Sequence, residues 1–320
     1  MKHFSLQKNV KYCVGLSGGV DSVVLLHALK QSCIEQEVSL THLTAVHINH
    51  GISDLANNWQ QFCENYCADL EITLEVFSLK VVKESGQGLE NTARKARYES
   101  FSQIKNVDVI VLAHHQDDQY ETMLSQIMRG SDLHNVAAMH EYRVIQDQKI
   151  WRPILHVSKK TIIEYADFHN LQFIQDDSNS DNTYLRNFLR NEIIPELLKY
   201  DNCLYNKLGA LLLNIRHHVA LVDEFAGIDL GMCEIPNGDN IQLKHLDWEK
   251  VTILSHPRQL NLLAYFIKIH CNIMASHKHL QEFLRQCHEV SINMHGATPV
   301  LKISNFSLIF NKGMISLHQM

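Results

Sequence analysis

Residues 12–30, YCVGLSGGVDSVVLLHALK, hold the pattern that decides the architecture. Tyr12–Leu16 is an apolar run of buried-strand length that stops at Ser17-Gly18-Gly19. Val20–Lys30 then sets Val24, Leu25, Ala28 and Leu29 at helical spacing. A strand that enters a glycine turn and leaves as a helix is the first half of a βαβ unit. The pattern repeats outward from there. Strands are predicted at Leu43–Ile48, Glu71–Leu79 and Val107–Ala113, with helices near 55–70, 89–104 and 116–128. Strands alternating with helices of this length predict an α/β fold, a doubly wound parallel sheet of Rossmann-like type. Ligands of such sheets bind beyond the carboxyl ends of the strands.

After Gly130 the alternation stops. Ser158 is a good N-cap for a helix reaching about His169, and a second helix is predicted from about Thr183 to Leu198. A helix-like stretch, Leu208–Phe225, precedes Pro236-Asn237-Gly238, which suits a junction. Beyond it, helices are expected at Arg258–His270 and His277–Cys287, with strands near Val300–Ile303 and Ser307–Phe310. The expected organisation is an α/β domain over 1–200, a helical linker over 201–240, and a smaller α+β C-terminal domain over 241–320.

A chain of 320 residues, 45% hydrophobic and 20% charged, has an ordinary globular composition, which excludes a disordered or fibrous chain. No apolar run approaches the ~18 residues of a membrane span. The start, MKHFSLQKNVKYCVG, is too polar for a signal-peptide core, and eight scattered cysteines read as free thiols, so a cytoplasmic protein is expected. Net charge is 29 − 35 = −6, against bulk nucleic-acid binding. Its distribution is uneven: residues 241–320 carry eight Lys/Arg against four acids, +4, leaving −10 on the first 240. That surplus suits an anionic partner at the C-terminal end, or an ordinary solvated face.

Three clusters point to chemistry. Ser17, Gly18, Gly19, Val20, Asp21 and Ser22 lie between strand and helix, where free amides and a helix start form an anion site. Asp21 there could hold a Mg2+ that neutralises phosphate charge. The Gly-Lys-Ser/Thr ending of a Walker A loop is missing, and a plain connecting turn would read the same in isolation. Next, Ala113-His114-His115-Gln116-Asp117-Asp118-Gln119-Tyr120-Glu121-Thr122 opens another helix at a strand end, with Asp118 and Glu121 on one face. Clustered acids need a cation such as Mg2+ or a substrate ammonium; a transition-metal site on the histidines and a solvated helix start are the alternatives. Finally, Arg94 and Arg97, and Arg186 and Arg190, pair up on helix faces in the manner that suits phosphate or carboxylate contacts. His47, in His47-Ile48-Asn49-His50-Gly51, closes the second strand where a base could lie. Cys63 and Cys67, four apart, lack metal-type spacing and read as packed thiols.

In this order and spacing, SGGVDS (17–22), HINHG (47–51), ARKARY (93–98), AHHQDDQYET (113–122), Arg152-Pro153 and DDSNSDNTYLRNFLR (176–190) make the chain similar to the PP-loop ATP-pyrophosphatases. Among them it resembles the tRNA(Ile)-lysidine synthetases over about residues 12–198, and more weakly over Leu246–Tyr265. Arg129-Gly130-Ser131-Asp132-Leu133-His134-Asn135 departs from the Gly/Pro-rich stretch frequent in that family. Longer members carry a further C-terminal domain that this chain is expected to lack. The resemblance implies an ATP-dependent ligase that attaches L-lysine to C2 of the wobble cytidine of tRNA(Ile) with a CAU anticodon, through an adenylated intermediate. It implies that Ser17–Ser22 and His47 bind ATP and that Asp21 takes Mg2+. It also implies that Asp118 and Glu121 hold the lysine ammonium, with Arg97 and Arg186 at the lysine carboxylate or phosphates. The basic residues of 241–320 would meet tRNA, and a homodimer is implied. Several related tRNA thiolases need paired cysteines, and no CxxC pair occurs.

Overall fold

A computed structural model describes residues 4–49, 51, 55–78, 99–145, 148–175, 181–235, 244–293 and 297–319. The chain divides into two compact units, residues 1–131 with 138–209, and residues 132–137 with 210–320.

In the first unit the elements run β1 (Tyr12–Gly15), α1 (Val20–Glu35), β2 (Leu43–Asn49), α2 (Ala56–Asp69), β3 (Thr73–Ser78), β4 (Val109–Val111) and α3 (Gln116–Met128). They continue with β5 (Tyr142–Ile145), β6 (Gln148–Trp151), α4 (Lys159–Phe168), α5 (Leu185–Phe188), a π-turn over Leu189–Ile193, and α6 (Ile194–Tyr200). The strands form one sheet in the order β3-β2-β1-β4-β6-β5. All neighbours pair in parallel except β5, which runs antiparallel to β6 along the edge. The sheet is therefore parallel-dominated but mixed; the β5–β6 pair went unseen because Tyr142–Ile145 is short, exposed and without apolar alternation. The helix expected over 89–104 falls largely on residues outside those described.

Both faces of the sheet are covered. Val14 and Val111 face one core with Val23, Leu26, Cys63 and Ile162, while Cys13 and Ile110 face the other with Phe101 and Leu112. This period-2 alternation is what a strand buried on both sides requires. On α1, Val23, Val24, Leu25 and Leu26 are all fully buried. Each contributes roughly 1.5–3 kcal/mol of hydrophobic stabilisation, which anchors the helix that starts at the glycine turn. Successive strands are laid from β1 to β3 on one side, and then β4 is laid on the other side of β1. That reversal is a topological switch point, where the carboxyl ends of β1 and β4 open a crevice.

The second unit holds most of α7 (Leu204–Cys233), then β7 (Glu234–Ile235), β8 (Lys244–Asp247), α8 (Trp248–Ile253), α9 (His256–Cys271), α10 (His277–Asn293), β9 (Val300–Ile303), β10 (Phe306–Asn311) and β11 (Met314–Gln319). Its antiparallel sheet, β7-β8-β11-β10-β9, packs Leu246, Leu308 and Ile315 with Leu263, Phe266 and Leu284 of the helices. It is the α+β arrangement expected. Its core begins at Leu230 and Cys233 on α7, ahead of the expected start at 241. Among the described residues no helix is long and apolar enough to cross a membrane.

Candidate active site

The site lies in the first unit, at the carboxyl ends of β1 and β4. Leu16 N donates to Val46 O (2.8 Å), which extends the strand pairing one residue past Gly15. The chain then turns through Gly18, whose φ of +88° lies in the left-handed region; a Cβ there would sit 2.9 Å from Ile174 Cδ1. Only glycine takes this backbone and this packing without strain. Ser22 locks the turn from inside. Its Oγ donates to Gly19 O (2.9 Å), accepts from Ser17 N (3.2 Å) and lies 3.2 Å from Ser17 Oγ. Gly19 is the N-cap of α1 and no side chain caps the helix, so its first amides are presented to a ligand.

His47 is buried, and its Nδ1 donates to Leu16 O (2.9 Å), the carbonyl that immediately precedes the loop. Burial lowers its pKa, which favours the neutral ring. His47 therefore braces the loop from beneath.

At the end of β4 the chain enters α3 through His115. Asp118 Oδ2 accepts from His115 N (2.9 Å) and closes the helix start. Glu121 is 1% exposed and Asp118 7%. The cations that such buried acids require are supplied by the chain itself. Glu121 accepts Arg190 Nε (2.6 Å) and Nη2 (2.8 Å) and Arg186 Nε (2.8 Å), while Asp118 Oδ1 accepts Arg186 Nη2 (2.5 Å). Arg186 lies on α5 and Arg190 in the π-turn. Burial disfavours ionised Asp118, but His115, Arg186 and His114 outweigh it and bring its pKa down to about 2.

The His115 ring, buried between both loops, lies 3.7 Å from Asp21, 3.7 Å from Asp117 and 3.5 Å from Asp118. Burial opposes its charge, yet the surrounding carboxylates raise its pKa above the ordinary histidine value. Lys159, the first residue of α4, completes the cluster. Its Nζ reaches both oxygens of Asp21 (2.7 and 2.9 Å), and its backbone N donates to Asp117 Oδ2 (2.9 Å).

Of the residues singled out in the sequence, Ser17–Ser22, His47, Asp118, Glu121 and Arg186 gather here, together with Arg190. Arg97, with Arg94, lies outside the described residues. Lys159 was missed, being 138 residues from Asp21. A faint signal existed: Lys159-Lys160 opens a helix with no acid in its first turn, against the preference set by the helix dipole. Arg152 is 2% exposed and structural, donating from Nε to His114 Nδ1 (3.3 Å) and from Nη1 to His140 O (2.9 Å). The transition-metal alternative therefore loses one ring nitrogen to Arg152. Among the described residues no group of three or more His, Cys, Asp or Glu is arranged to hold a metal ion. Asp21 does fit Mg2+ in the looser mode of one carboxylate plus substrate phosphates, since it is partly exposed at the mouth of the loop.

The profile of the PP-loop domain family matches residues 1–197. A tRNA(Ile)-lysidine synthase of Nitrosomonas europaea is 36% identical over 289 residues, 88% of this chain and 60% of that protein. The enzyme of the same name from Neisseria meningitidis serogroup B is 38% identical, over 81% of this chain and 58% of its own. That of Coxiella burnetii is 29% identical over 98% and 67%. The chain thus spans about 60% of the length of the first of these relatives. Among solved structures, the U34-tRNA thiolase NcsA of Methanococcus maripaludis superposes with a TM-score of 0.54 at 17% identity, over 67% of this chain and 74% of that one, a likeness of fold.

Proposed function

This chain belongs to the PP-loop domain family, and from that premise we propose that it is an ATP-dependent ligase that attaches lysine to the wobble cytidine of tRNA(Ile) with a CAU anticodon. The observation that carries the reading is the loop Ser17–Ser22 at the switch point, facing a cluster of carboxylates and guanidiniums within one unit. In the proposed reaction the C2 carbonyl oxygen of cytidine attacks the α-phosphate of ATP and pyrophosphate leaves. The lysine ε-amine then attacks C2 and expels AMP, which gives lysidine and shifts codon reading from AUG to AUA. Adenylation is needed because a carbonyl oxygen is otherwise a poor leaving group.

The residues divide the work as follows. Backbone amides at the start of α1 and the hydroxyl of Ser17 would bind the phosphates, while Ser22, whose proton is given to Gly19 O, and His47 keep the loop in place. Asp21 would hold Mg2+, which supplies charge neutralisation at the phosphates. Asp118 and Glu121 would receive the lysine ammonium. A carboxylate has about four acceptor positions. Asp118 uses three, on Arg186, Arg190 and His115 N, and Glu121 uses three on the two arginines. Glu121 is the more deeply buried of the two, so the ammonium would approach from the side of Asp118. Arg186 commits Nε and Nη2 to the acids, which leaves Nη1 for the lysine carboxylate or a phosphate. With a pKa of about 2, Asp118 is a weak base for the proton that the amine must lose.

The cysteines favour ligation over thiolation. Cys63 and Cys67 are buried in the core behind the loop, and burial pushes both thiols up to about 12. Such thiols are inert. The test is incubation with labelled lysine, ATP and unmodified CAU-anticodon tRNA(Ile), followed by nucleoside analysis. Labelled lysidine with matching AMP and pyrophosphate is expected; no label in the nucleoside fraction would overturn the assignment. A cytoplasmic location and a homodimer belong to the same proposal, the latter checked by light scattering.

A further inference from the structure

Lys159 departs from the charge preference of its position. A cation at the first residue of a helix faces the positive end of the dipole, and α4 has a second lysine beside it and no acid in its first turn. What the residue meets in space accounts for its placement. Its ammonium bridges both oxygens of Asp21 on α1, and its amide is given to Asp117 on α3. The pair is accessible: the side chains of Lys159 and Asp21 are 36% and 29% exposed, unlike the buried Glu121 pair. An ion pair in that setting is weakly held and open to exchange.

We propose that Lys159 is the resident counter-ion of Asp21 in the nucleotide-free protein. It yields the carboxylate when a divalent cation binds, and its ammonium then serves the phosphates of the incoming nucleotide. Lys159 thus joins the phosphate loop, through Asp21, to the start of α3, through Asp117. The inference rests on the reading that Asp21 serves a metal–nucleotide complex, and it does not depend on tRNA or lysine.

Binding of Mn2+, as a spectroscopic probe for Mg2+, is measured on the nucleotide-free full chain by electron paramagnetic resonance or calorimetry. Lys159→Met and Lys159→Gln remove the competing ammonium and should tighten Mn2+ at least threefold, while raising KM for ATP about tenfold with KM for lysine unchanged. Lys159→Arg keeps a cation and should lie near wild type for Mn2+. In an Asp21→Asn background the Lys159 substitutions should leave Mn2+ binding unmoved, because coupled residues are non-additive. An unchanged Mn2+ affinity in folded Lys159→Met and Lys159→Gln overturns the proposal. Should those variants fail to fold, the wild type still decides. Acetic anhydride labelling read by mass spectrometry should rise at Lys159 on adding Mn2+ alone, and unchanged labelling overturns the proposal equally. Failure to form lysidine, by contrast, would sink the ligase reading and leave these binding results intact.

Discussion

Gly18 shows how much one residue carries. Its left-handed φ and the 2.9 Å approach of Ile174 Cδ1 to a built Cβ mean that Gly18→Ala strains the backbone and pushes on Ile174 together. A loss of about 1–3 kcal/mol in urea unfolding is expected, with weakened ATP binding measured by calorimetry. Glu121 is the other sensitive point. Glu121→Gln keeps the shape but leaves Arg190 and Arg186 short of a buried anion. Breaking such a pair costs roughly 3–5 kcal/mol, so the urea midpoint should drop and lysine-dependent turnover should be lost. Asp118 sets a pH signature. Its folded pKa, about 2, lies below the ~3.9 of an unfolded aspartate. The stability it contributes is therefore complete above about pH 4 and lost as pH falls towards 2. Urea midpoints measured across that window should fall more steeply for the wild type than for Asp118→Asn. His115 has the opposite sign: its raised pKa gives stability that is present below about 6.5 and lost as pH rises through the folded value.

Among the elements, α4 shows how a helix start transmits position. Ser158 caps it by accepting from Thr161 N (3.2 Å), and the next residue is Lys159. Ser158→Ala should cost about 1 kcal/mol of stability, seen in the urea midpoint, and should loosen Lys159 enough to raise KM for ATP. The π-turn at Leu189–Ile193 belongs to the same theme. The predicted helix from about Thr183 to Leu198 is realised as α5, π-turn and α6 in series, and the irregular turn carries the arginine that grips Glu121 twice. An even 3.6-residue repeat in the sequence could not show that irregularity.

At the level of the whole chain, the division between units falls at residue 209, inside α7, and the second core uses Leu230 and Cys233. A cut at 240 would keep those two residues and remove their partners. A fragment ending near 209 should therefore bind ATP and stay monodisperse, whereas one ending at 240 should aggregate, as size-exclusion chromatography would report. Both should lose tRNA affinity if the +4 surplus of 241–320 meets the phosphate backbone. In the intact chain that affinity should fall steeply between about 50 and 200 mM salt, and a flat salt response would contradict the electrostatic reading.

The α/β alternation, the glycine turn, the paired acids on α3 and the α+β C-terminal unit could all be read from the chain, because each is written in short-range terms: apolar period, turn chemistry and i,i+3 spacing. What Asp21, Asp118 and Glu121 meet could not. Lys159 lies 138 residues from Asp21, and Arg190 lies 69 from Glu121. Only the folding of the sheet about its switch point brings those charges within hydrogen-bond reach, since burial makes an unpaired carboxylate too costly to leave and no local pattern names the partner that relieves it.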